Sequence, residues 1–238
     1  MSPLLTSPRS RTARRPTLHR SPFSVDAVLL TVLDGQLSVA LRRAPIKSGE
    51  RPRDRWVLPW GVGRFEETFS QGAERLAAEV LGEAPEWLSQ IGAFGDGRRH
   101  PGTSEISVAF VGLVPVGTTL PFEDQTAWFA IAQLPALAPR QRAMVDAAVE
   151  LVQSRVSQAP IAFRLLPETF TLSELQEMYE LLLDRRLHKA SFRRSLQAAR
   201  IVEATDEWRS EGRGRPAQLF RYAPRRRKSP PRGVRFEA

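Results

Sequence analysis

The stretch PIAFRLLPETFTLSELQEMYELLLDRRLHKASFRRSLQAARIVEATDEWRSEGRGRPAQLFRY occupies residues 160–222 and determines how the last third of the chain folds. Thr171 and Glu174 have the spacing of a capping box, in which two side chains satisfy the free amides at a helix start. Apolar side chains then recur at three- and four-residue steps, at Leu172, Leu175, Tyr179 and Leu182. This period predicts a helix with one buried stripe, and the capping box marks its first turn.

A second helix is predicted over about residues 188–200, after a polar turn at 184–186. Its apolar stripe consists of Phe192, Leu196 and Ala199. The other faces carry side chains that can meet phosphates and base edges in a DNA major groove: Lys189, Ser191, Arg193, Arg194, Gln197 and Arg200. We expect the cations to hold phosphates and Gln197 or Arg193 to read bases. An ordinary solvated helix face has a similar composition, so this helix alone does not decide the question.

A β-hairpin is predicted after the second helix. The β-branched run at 201–205 and the run at 218–222 flank a polar, glycine-containing loop. Arg213 and Arg215 at the loop tip can reach a DNA backbone or a minor groove. We therefore predict a winged helix–turn–helix at residues 159–223 that binds double-stranded DNA. The alternative is that the helical hairpin and the β-hairpin serve only packing or dimerisation.

The positive charge is concentrated at the two ends of the chain. The formal net charge is +9, and residues 1–22 contain five arginines and no acid, while residues 221–238 contain seven Lys/Arg and one glutamate. We predict disordered basic arms at 1–22 and 224–238, because such segments are too polar to fold. They suit a polyanion. A non-sequence-specific nucleic-acid binder driven by these arms is one hypothesis, and solubilising extensions are the plainer interpretation.

Composition argues against several classes of protein. The chain has no cysteine, so disulfides, thiolate chemistry and cysteine zinc sites are excluded, and its three scattered histidines do not suggest a metal site. No apolar run approaches membrane-spanning length. The N-terminus lacks the apolar core of a secretion signal. We therefore expect a cytoplasmic protein without a membrane partner.

The segment before the winged helix is predicted to contain strands and one helix. Strands at 25–33 and 36–42 flank a strong tight-turn pair, Asp34-Gly35, and further strands are expected at 56–63 and 106–114. A helix that ends at Gly82 is indicated by the spacing of Ala73, Leu76, Ala77, Val80 and Leu81. This order indicates an α/β domain with a mixed sheet, which we place at residues 23–138.

A connecting helix is predicted at residues 139–158. Its apolar side consists of Met144, Ala148, Leu151 and Val152. A helix between two domains can transmit a shift from one to the other, and a plain connector is the equally simple interpretation.

Residues 61–82 resemble the Nudix box. Five residues match its spacing: Gly61, Glu67, Arg75, Glu79 and Gly82. Leu76 and Val80 replace two glutamates of the box, and Trp60 stands where a glycine is usual. The resemblance implies a Nudix-like fold, and in active relatives those carboxylates gather the Mg²⁺ ions that polarise a pyrophosphate and activate water.

The two replacements predict a domain that keeps the fold without a catalytic metal site or a cofactor. With one glutamate of the cluster left, we expect no catalytic residues and no hydrolase activity. The alternative is a divergent Mg²⁺-dependent pyrophosphohydrolase that uses Glu66, Glu67 and Glu79 as substitute ligands.

Several further segments resemble the Nudix-related transcriptional regulators. They lie at 94–96, 107–110, 134–138, 162–168, 170–175, 192–194 and 214–217, together with Trp128, so the likeness covers about residues 23–223. The resemblance implies a bacterial repressor or activator, nucleoid-associated through DNA binding, in which a Nudix-like effector domain precedes a winged helix. It implies an effector such as ADP-ribose or a related nucleotide, often in NAD metabolism, and we expect the regulator to be a homodimer. Other members are linked to sugar catabolism.

Charged residues near the box are the candidate effector ligands. They are Arg43, Glu67, Arg75, Glu79, Asp96, Arg98 and Arg99. The planar fork of an arginine binds two phosphate or carboxylate oxygens at once. Arg75 and Glu79 also have the spacing of an intrahelical ion pair, worth about 0.3–0.5 kcal/mol, and we favour that structural role for the pair.

Overall fold

The computed structural model describes residues 23–44, 55–210 and 216–223. Seven strands of the first domain form one sheet: β1 (Phe23–Leu33), β2 (Gln36–Arg43), β3 (Trp56–Val57), β4 (Trp60–Val62), β5 (Leu88–Phe94), β6 (Ile106–Leu113) and β7 (Thr126–Ala130). The central strand β1 pairs in parallel with β6 and antiparallel with β2 and β4, which confirms a mixed sheet. The predicted arms at 1–22 and 224–238 lie outside the described residues, as do Arg213 and Arg215 at the wing tip.

Two helices cover opposite faces of this sheet: α1 (Phe69–Leu81) and α2 (Pro139–Val156). On β1, Val25, Ala27 and Leu29 pack in the core beneath α1, whereas the alternate residues Val28 and Leu30 pack in the core beneath α2. Successive strand side chains point to opposite faces, so a strand covered on both sides must be apolar throughout. The long apolar run of β1 follows from this position.

Local signals explain where several elements begin and end. The turn between β1 and β2 is left-handed at Asp34 (φ 48°) and Gly35 (φ 70°), as the aspartate–glycine pair predicts. Helix α1 ends at Gly82, whose φ of 87° suits glycine. The strand predicted at 56–63 is divided in two at Pro59, because proline has no amide to donate to a ladder. As a result, β3 pairs with β2 and β4 pairs with β1.

The winged helix–turn–helix is present as predicted. Its elements are β8 (Thr169–Phe170), α3 (Leu172–Leu183), α4 (Lys189–Ala199), β9 (Val202–Arg209) and β10 (Ala217–Tyr222), with strand order β8-β10-β9. The capping box forms, because Glu174 N donates to Thr171 Oγ1 (3.1 Å) and Thr171 N donates to Glu174 Oε2 (2.6 Å). The first wing strand extends four residues beyond the predicted end at Thr205.

Helix α2 packs against both domains. Its buried side chains Met144, Val145, Ala148, Val152 and Val156 belong to one apolar cluster that also contains Leu175 and Tyr179 of α3. Helix α2 contacts β5, β1 and β6 of the sheet as well as α3. The core is therefore continuous from the sheet to the winged helix. None of the described helices has the length and hydropathy needed to cross a membrane.

Candidate DNA-binding surface and anion-binding face

Helix α4 presents a polar, cationic face to solvent. Phe192 and Leu196 are buried against the rest of the winged helix, and the Phe192 ring meets the Tyr179 ring with centroids 5.8 Å apart. All six predicted contact residues of this segment are exposed: Lys189, Ser191, Arg193, Arg194, Gln197 and Arg200. The helix contains no acidic residue. We call these six residues the α4 surface, and its positive charge is directly accessible to a polyanion.

The turn before α4 is held by Glu180 of α3. Its carboxylate accepts from Gln176 Nε2 (2.9 Å), from the backbone N of Leu187 (2.9 Å) and from Arg186 Nη1 (2.9 Å). Hydrogen bonds from Gln176 and Leu187 lower the pKa of Glu180, so the carboxylate stays charged. This contact fixes the chain where it enters α4, and thereby the direction of the α4 surface.

The wing is tied to the first turn of α3. Arg209, the last residue of β9, donates to Glu174 Oε1 at 2.6 Å, while the other oxygen of that carboxylate caps the helix. Thr205 Oγ1 donates to the carbonyl of Leu219 across the hairpin (3.0 Å). The wing hairpin is therefore tied to α3, an arrangement that lets a helix and a wing contact one duplex together.

The Nudix-box helix α1 turns its two substituted positions inward. Leu76 and Val80 are each 1% exposed and pack in the core beneath α1. A carboxylate at either position would enter an apolar environment in this chain. Mg²⁺ binds oxygen ligands, and the side chains at these two positions have no oxygen atom.

An arginine lies between the remaining glutamates of the box. Arg75 Nε and Nη2 donate to the two oxygens of Glu67 (3.0 and 2.6 Å), and Arg75 Nη1 donates to Glu79 Oε1 (3.1 Å). These bonds lower the pKa of Glu67 and raise that of Arg75. The expected Arg75–Glu79 ion pair is thus formed. Across the described residues, no three His, Asp or Glu side chains are grouped in a way that could hold a metal ion.

Two buried donors that the sequence did not suggest lie on the α1 face of the sheet. Trp128 stands opposite Ala40, two residues from Arg42, and packs against the core beneath α1. Arg42 reaches Glu79 at 3.6 Å and donates through Nη2 to the carbonyl of Trp60. Within the described chain, Arg42 Nε and Trp128 Nε1 are buried without a hydrogen-bond partner. Buried donors are rarely left unpaired, so a ligand that accepts from them would be stabilised.

The predicted effector residues do not all lie together. Glu67, Arg75 and Glu79 are adjacent to Arg42, as the ion pairs above establish. Arg43 is exposed, lies over the Trp56 ring (4.8 Å to the centroid) and donates to the carbonyl of Asp124.

The loop after β5 lies on the other side of the sheet. Arg98 pairs with Asp96 (3.0 Å) and lines a groove on the outer surface of α2, and the carbonyl of Arg99 accepts from Arg140 N in the first turn of α2 (3.2 Å). Asp96, Arg98 and Arg99 therefore lie on the α2 face, apart from the Nudix-box residues.

A larger cleft, of about 630 Å³, lies between the β1–β2 turn and α3. Its polar lining includes four carboxylates and two arginines: Glu174, Glu177, Glu180, Asp184, Arg185 and Arg186. Like charges repel at short range, so this lining disfavours a phosphorylated metabolite. On the α1 face of the sheet, Arg42 of β2 and Arg75 of α1 balance the carboxylates of Glu67 and Glu79, so this face is the better match for an anionic ligand.

The comparisons with known proteins agree with this geometry. The family model for the NrtR DNA-binding winged helix domain matches residues 162–222. The ADPR responsive transcriptional repressor NtrR of Acinetobacter baylyi is 28% identical over 208 residues, which cover 84% of this chain and 82% of that protein.

Solved structures extend the likeness to both domains. Shewanella oneidensis NrtR complexed with a 27mer DNA superposes with a TM-score of 0.75 at 29% identity and covers 91% of this chain and 100% of its own. A MutT/nudix family protein from Enterococcus faecalis, at 18% identity and a TM-score of 0.62, covers 88% of this chain and 89% of its own and shows the shared fold. Together with the geometry, these likenesses support a Nudix-related transcriptional regulator: the described residues form a Nudix-like domain followed by a winged helix, and the chain is similar to NrtR regulators over both domains.

Proposed function

We propose that this protein is a homodimeric, cytoplasmic regulator that binds operator DNA through the α4 surface and binds ADP-ribose in its Nudix-like domain. The observation that carries the DNA-binding part is the α4 surface, which is exposed, cationic and free of acids on its own helix. The relative from Shewanella was crystallised with DNA, and the relative from Acinetobacter is described as ADPR responsive. Both support the proposal.

ADP-ribose carries a diphosphate, and the α1 face offers donors that suit one. Arg42 is partly buried, and this burial lowers its pKa while Glu79 and Asp26 oppose the shift. Removal of water strengthens the contact between a guanidinium and a phosphate. Arg75 and the unpaired Nε1 of Trp128 lie beside it. We place the metabolite on this face, against Arg42 and Trp128.

The bound metabolite would be held and not cleaved. Hydrolysis of a pyrophosphate in this fold needs oxygen ligands that gather divalent ions, and Leu76 and Val80 are apolar and buried. The Arg75 guanidinium occupies the space between Glu67 and Glu79. A regulator of this kind requires no cofactor.

Regulation then follows from a difference in affinity. Two copies of the winged helix on a near-palindromic operator must match the spacing of its half-sites. ADP-ribose alters DNA binding only if it binds one dimer geometry more tightly than the other. The proposal therefore requires a path by which the Nudix-like domain affects the winged helix.

A pair of neighbouring arginines tests the location of the metabolite. Arg42→Ala should weaken ADP-ribose binding by about tenfold or more, because a buried charge-assisted contact contributes about 1.5–3 kcal/mol. Isothermal titration calorimetry of the full chain measures the affinity.

Arg43→Ala is the matched control for this measurement. The two arginines are adjacent on β2 but point to opposite faces of the strand, and Arg43 stacks on Trp56. We expect Arg43→Ala to change the affinity by less than about threefold, as exposed contacts do. A loss in Arg43→Ala with none in Arg42→Ala would move the metabolite site away from the α1 face.

A further inference from the structure

A buried polar cluster joins the sheet, the loop after β5 and helix α2. Asp26 is the fourth residue of β1 and is fully buried. Its Oδ1 accepts from His100 Nε2 (2.9 Å) and from Gln141 Nε2 (3.0 Å), and its Oδ2 accepts from Ser24 Oγ (3.1 Å). We call Asp26, His100 and Gln141 the Asp26 cluster.

The proton positions in the cluster are defined by its neighbours. The backbone N of Gly102 donates to His100 Nδ1 at 3.0 Å, so that nitrogen is an acceptor. Nε2 therefore carries the proton and donates to Asp26. Gln141 is held in turn, since its Oε1 accepts from Leu58 N at 3.1 Å. Every member of the cluster is thus oriented by a second contact.

Arg140, the residue before Gln141, pins the first turn of α2 to the loop. Arg140 N donates to the carbonyl of Arg99 (3.2 Å), and Arg140 Nη1 donates to the carbonyl of Ser104 (2.9 Å) and to Ser107 Oγ (3.3 Å). Gln141 follows directly and enters the Asp26 cluster. A displacement of the loop or of β1 must therefore move this end of α2.

Trp60 connects the α1 face of the sheet, where we place the metabolite, to the Asp26 cluster. Its carbonyl accepts from Arg42 Nη2, and its ring meets the His100 ring edge-on with centroids 5.0 Å apart. The ring also lies against Gly102, where an added Cβ would come within 2.7 Å of it. Trp60 stands where the Nudix box usually has glycine, so a glycine there would lack this contact.

The far end of α2 meets the winged helix. Val152 and Val156 belong to the same buried cluster as Leu175 and Tyr179 of α3, and α2 contacts α3 directly. A helix in a close-packed core moves as a unit and not by continuous deformation. A shift at the Arg140–Gln141 end is therefore delivered to the helices that set the direction of the α4 surface.

We propose that Trp60 and the Asp26 cluster form the connection by which metabolite binding in the Nudix-like domain changes DNA binding by the winged helix. This inference rests on the proposed function. It assigns Asp26, His100 and Gln141 a positioning role, without contact to either ligand. Their removal should abolish the coupling between the two ligands while leaving the binding of each ligand alone nearly unchanged.

His100→Phe is the primary test variant. It keeps a ring against Trp60 and removes both ring nitrogens. His100→Gln is the conservative variant, because its amide can still donate to Asp26. A second variant, Asp26→Leu with His100→Phe, replaces both partners by apolar groups of similar shape and so guards against an unpaired buried charge.

Three quantities are measured for the full chain: the affinity for ADP-ribose, the affinity for a duplex selected from a random library by the wild-type protein, and the change in DNA affinity at saturating ADP-ribose. In the wild type, we expect ADP-ribose to shift DNA affinity by about fivefold or more. In His100→Phe and in the double variant this shift should disappear, with each separate affinity within about threefold of wild type, and His100→Gln should retain the shift.

The outcomes separate the two proposals. Full coupling in the double variant would refute the role of the cluster and leave the proposed function intact. Loss of ADP-ribose affinity that accounts for the lost shift would also refute it, because the residues would then act in ADP-ribose binding itself. A wild-type protein that binds DNA but does not respond to ADP-ribose would refute the proposed function and the inference with it.

Discussion

Replacing Arg193 with alanine should weaken specific DNA binding by about tenfold to a hundredfold at about 0.15 M salt. Arg193 is exposed near the middle of the outward face of α4, beside Gln197. A bidentate contact from an arginine to a base edge discriminates by about 1–3 kcal/mol, and a phosphate contact adds counterion release. Fluorescence anisotropy with the library-selected duplex measures the loss.

Arg142→Ala supplies the matched control for Arg193→Ala. Arg142 is also an exposed helical arginine, but it pairs with Asp146 on α2 (3.0 Å), away from α4. Its removal makes the same change in net charge, and we expect almost no change in specific binding. Equal losses in the two variants would mean that net charge, and not the α4 surface, drives the interaction.

Deletion of residues 1–22 and 224–238 addresses the basic arms in the same assay. Specific binding to the selected duplex should persist without them, whereas binding to a scrambled duplex should fall. The reason is that the charged arms attract DNA phosphates whatever the DNA sequence. If both kinds of binding were lost together, the non-sequence-specific hypothesis would be the correct one.

Val80→Glu restores one glutamate of the Nudix box and should destabilise the protein by about 3–5 kcal/mol without producing hydrolase activity. Val80 is 1% exposed and packs among Val25, Ala73 and other apolar side chains beneath α1. A carboxyl placed there is desolvated, which raises its pKa. Urea unfolding of the full chain measures the stability, and release of AMP from ADP-ribose with Mg²⁺ measures activity.

The sign of the pH dependence identifies burial as the cause. A carboxyl whose pKa is raised on folding favours the folded state at pH values below its ordinary pKa and loses that advantage as pH rises through the raised value. The deficit of Val80→Glu should therefore be smaller near pH 5 than at pH 8. Ser70→Glu adds the same charge at an exposed position on α1 and should be nearly neutral. A stable Val80→Glu protein with Mg²⁺-dependent turnover would show that the Nudix-like domain is a hydrolase that needs one substitution.

The winged helix could be predicted almost completely from the sequence because its signals are local. The capping box at Thr171, the apolar period of α3 and α4, and the glycine-containing loop each lie within a few residues of the structure they specify. Helix α1 and its end at Gly82 follow for the same reason. Strands β5 and β7 were missed, since their side chains are mostly half-buried and β5 contains a bulge near Ile91, so neither shows a clean alternation.

The residues of the candidate site are brought together by long-range contacts, which no local sequence pattern predicts. Arg42 and Arg43 are equally charged neighbours, and only the pairing of β2 with β7 shows that Arg42 shares a face with Trp128. Asp26 and His100 are separated by 74 residues, and Gln141 lies 115 residues from Asp26. An aspartate within an apolar strand was the one available signal, because a buried carboxylate requires partners. The identity of those partners could not be predicted from the sequence.

In the proposed function, the Nudix-like domain holds ADP-ribose intact and thereby changes DNA binding. This function is tested most directly by titrating the library-selected duplex with the full chain in the presence of Mg²⁺, with and without ADP-ribose, and recovering the nucleotide afterwards. We expect DNA affinity to change by about fivefold or more while the ADP-ribose is recovered uncleaved. Conversion of ADP-ribose into AMP and ribose phosphate, with DNA affinity unchanged, would contradict the proposed function.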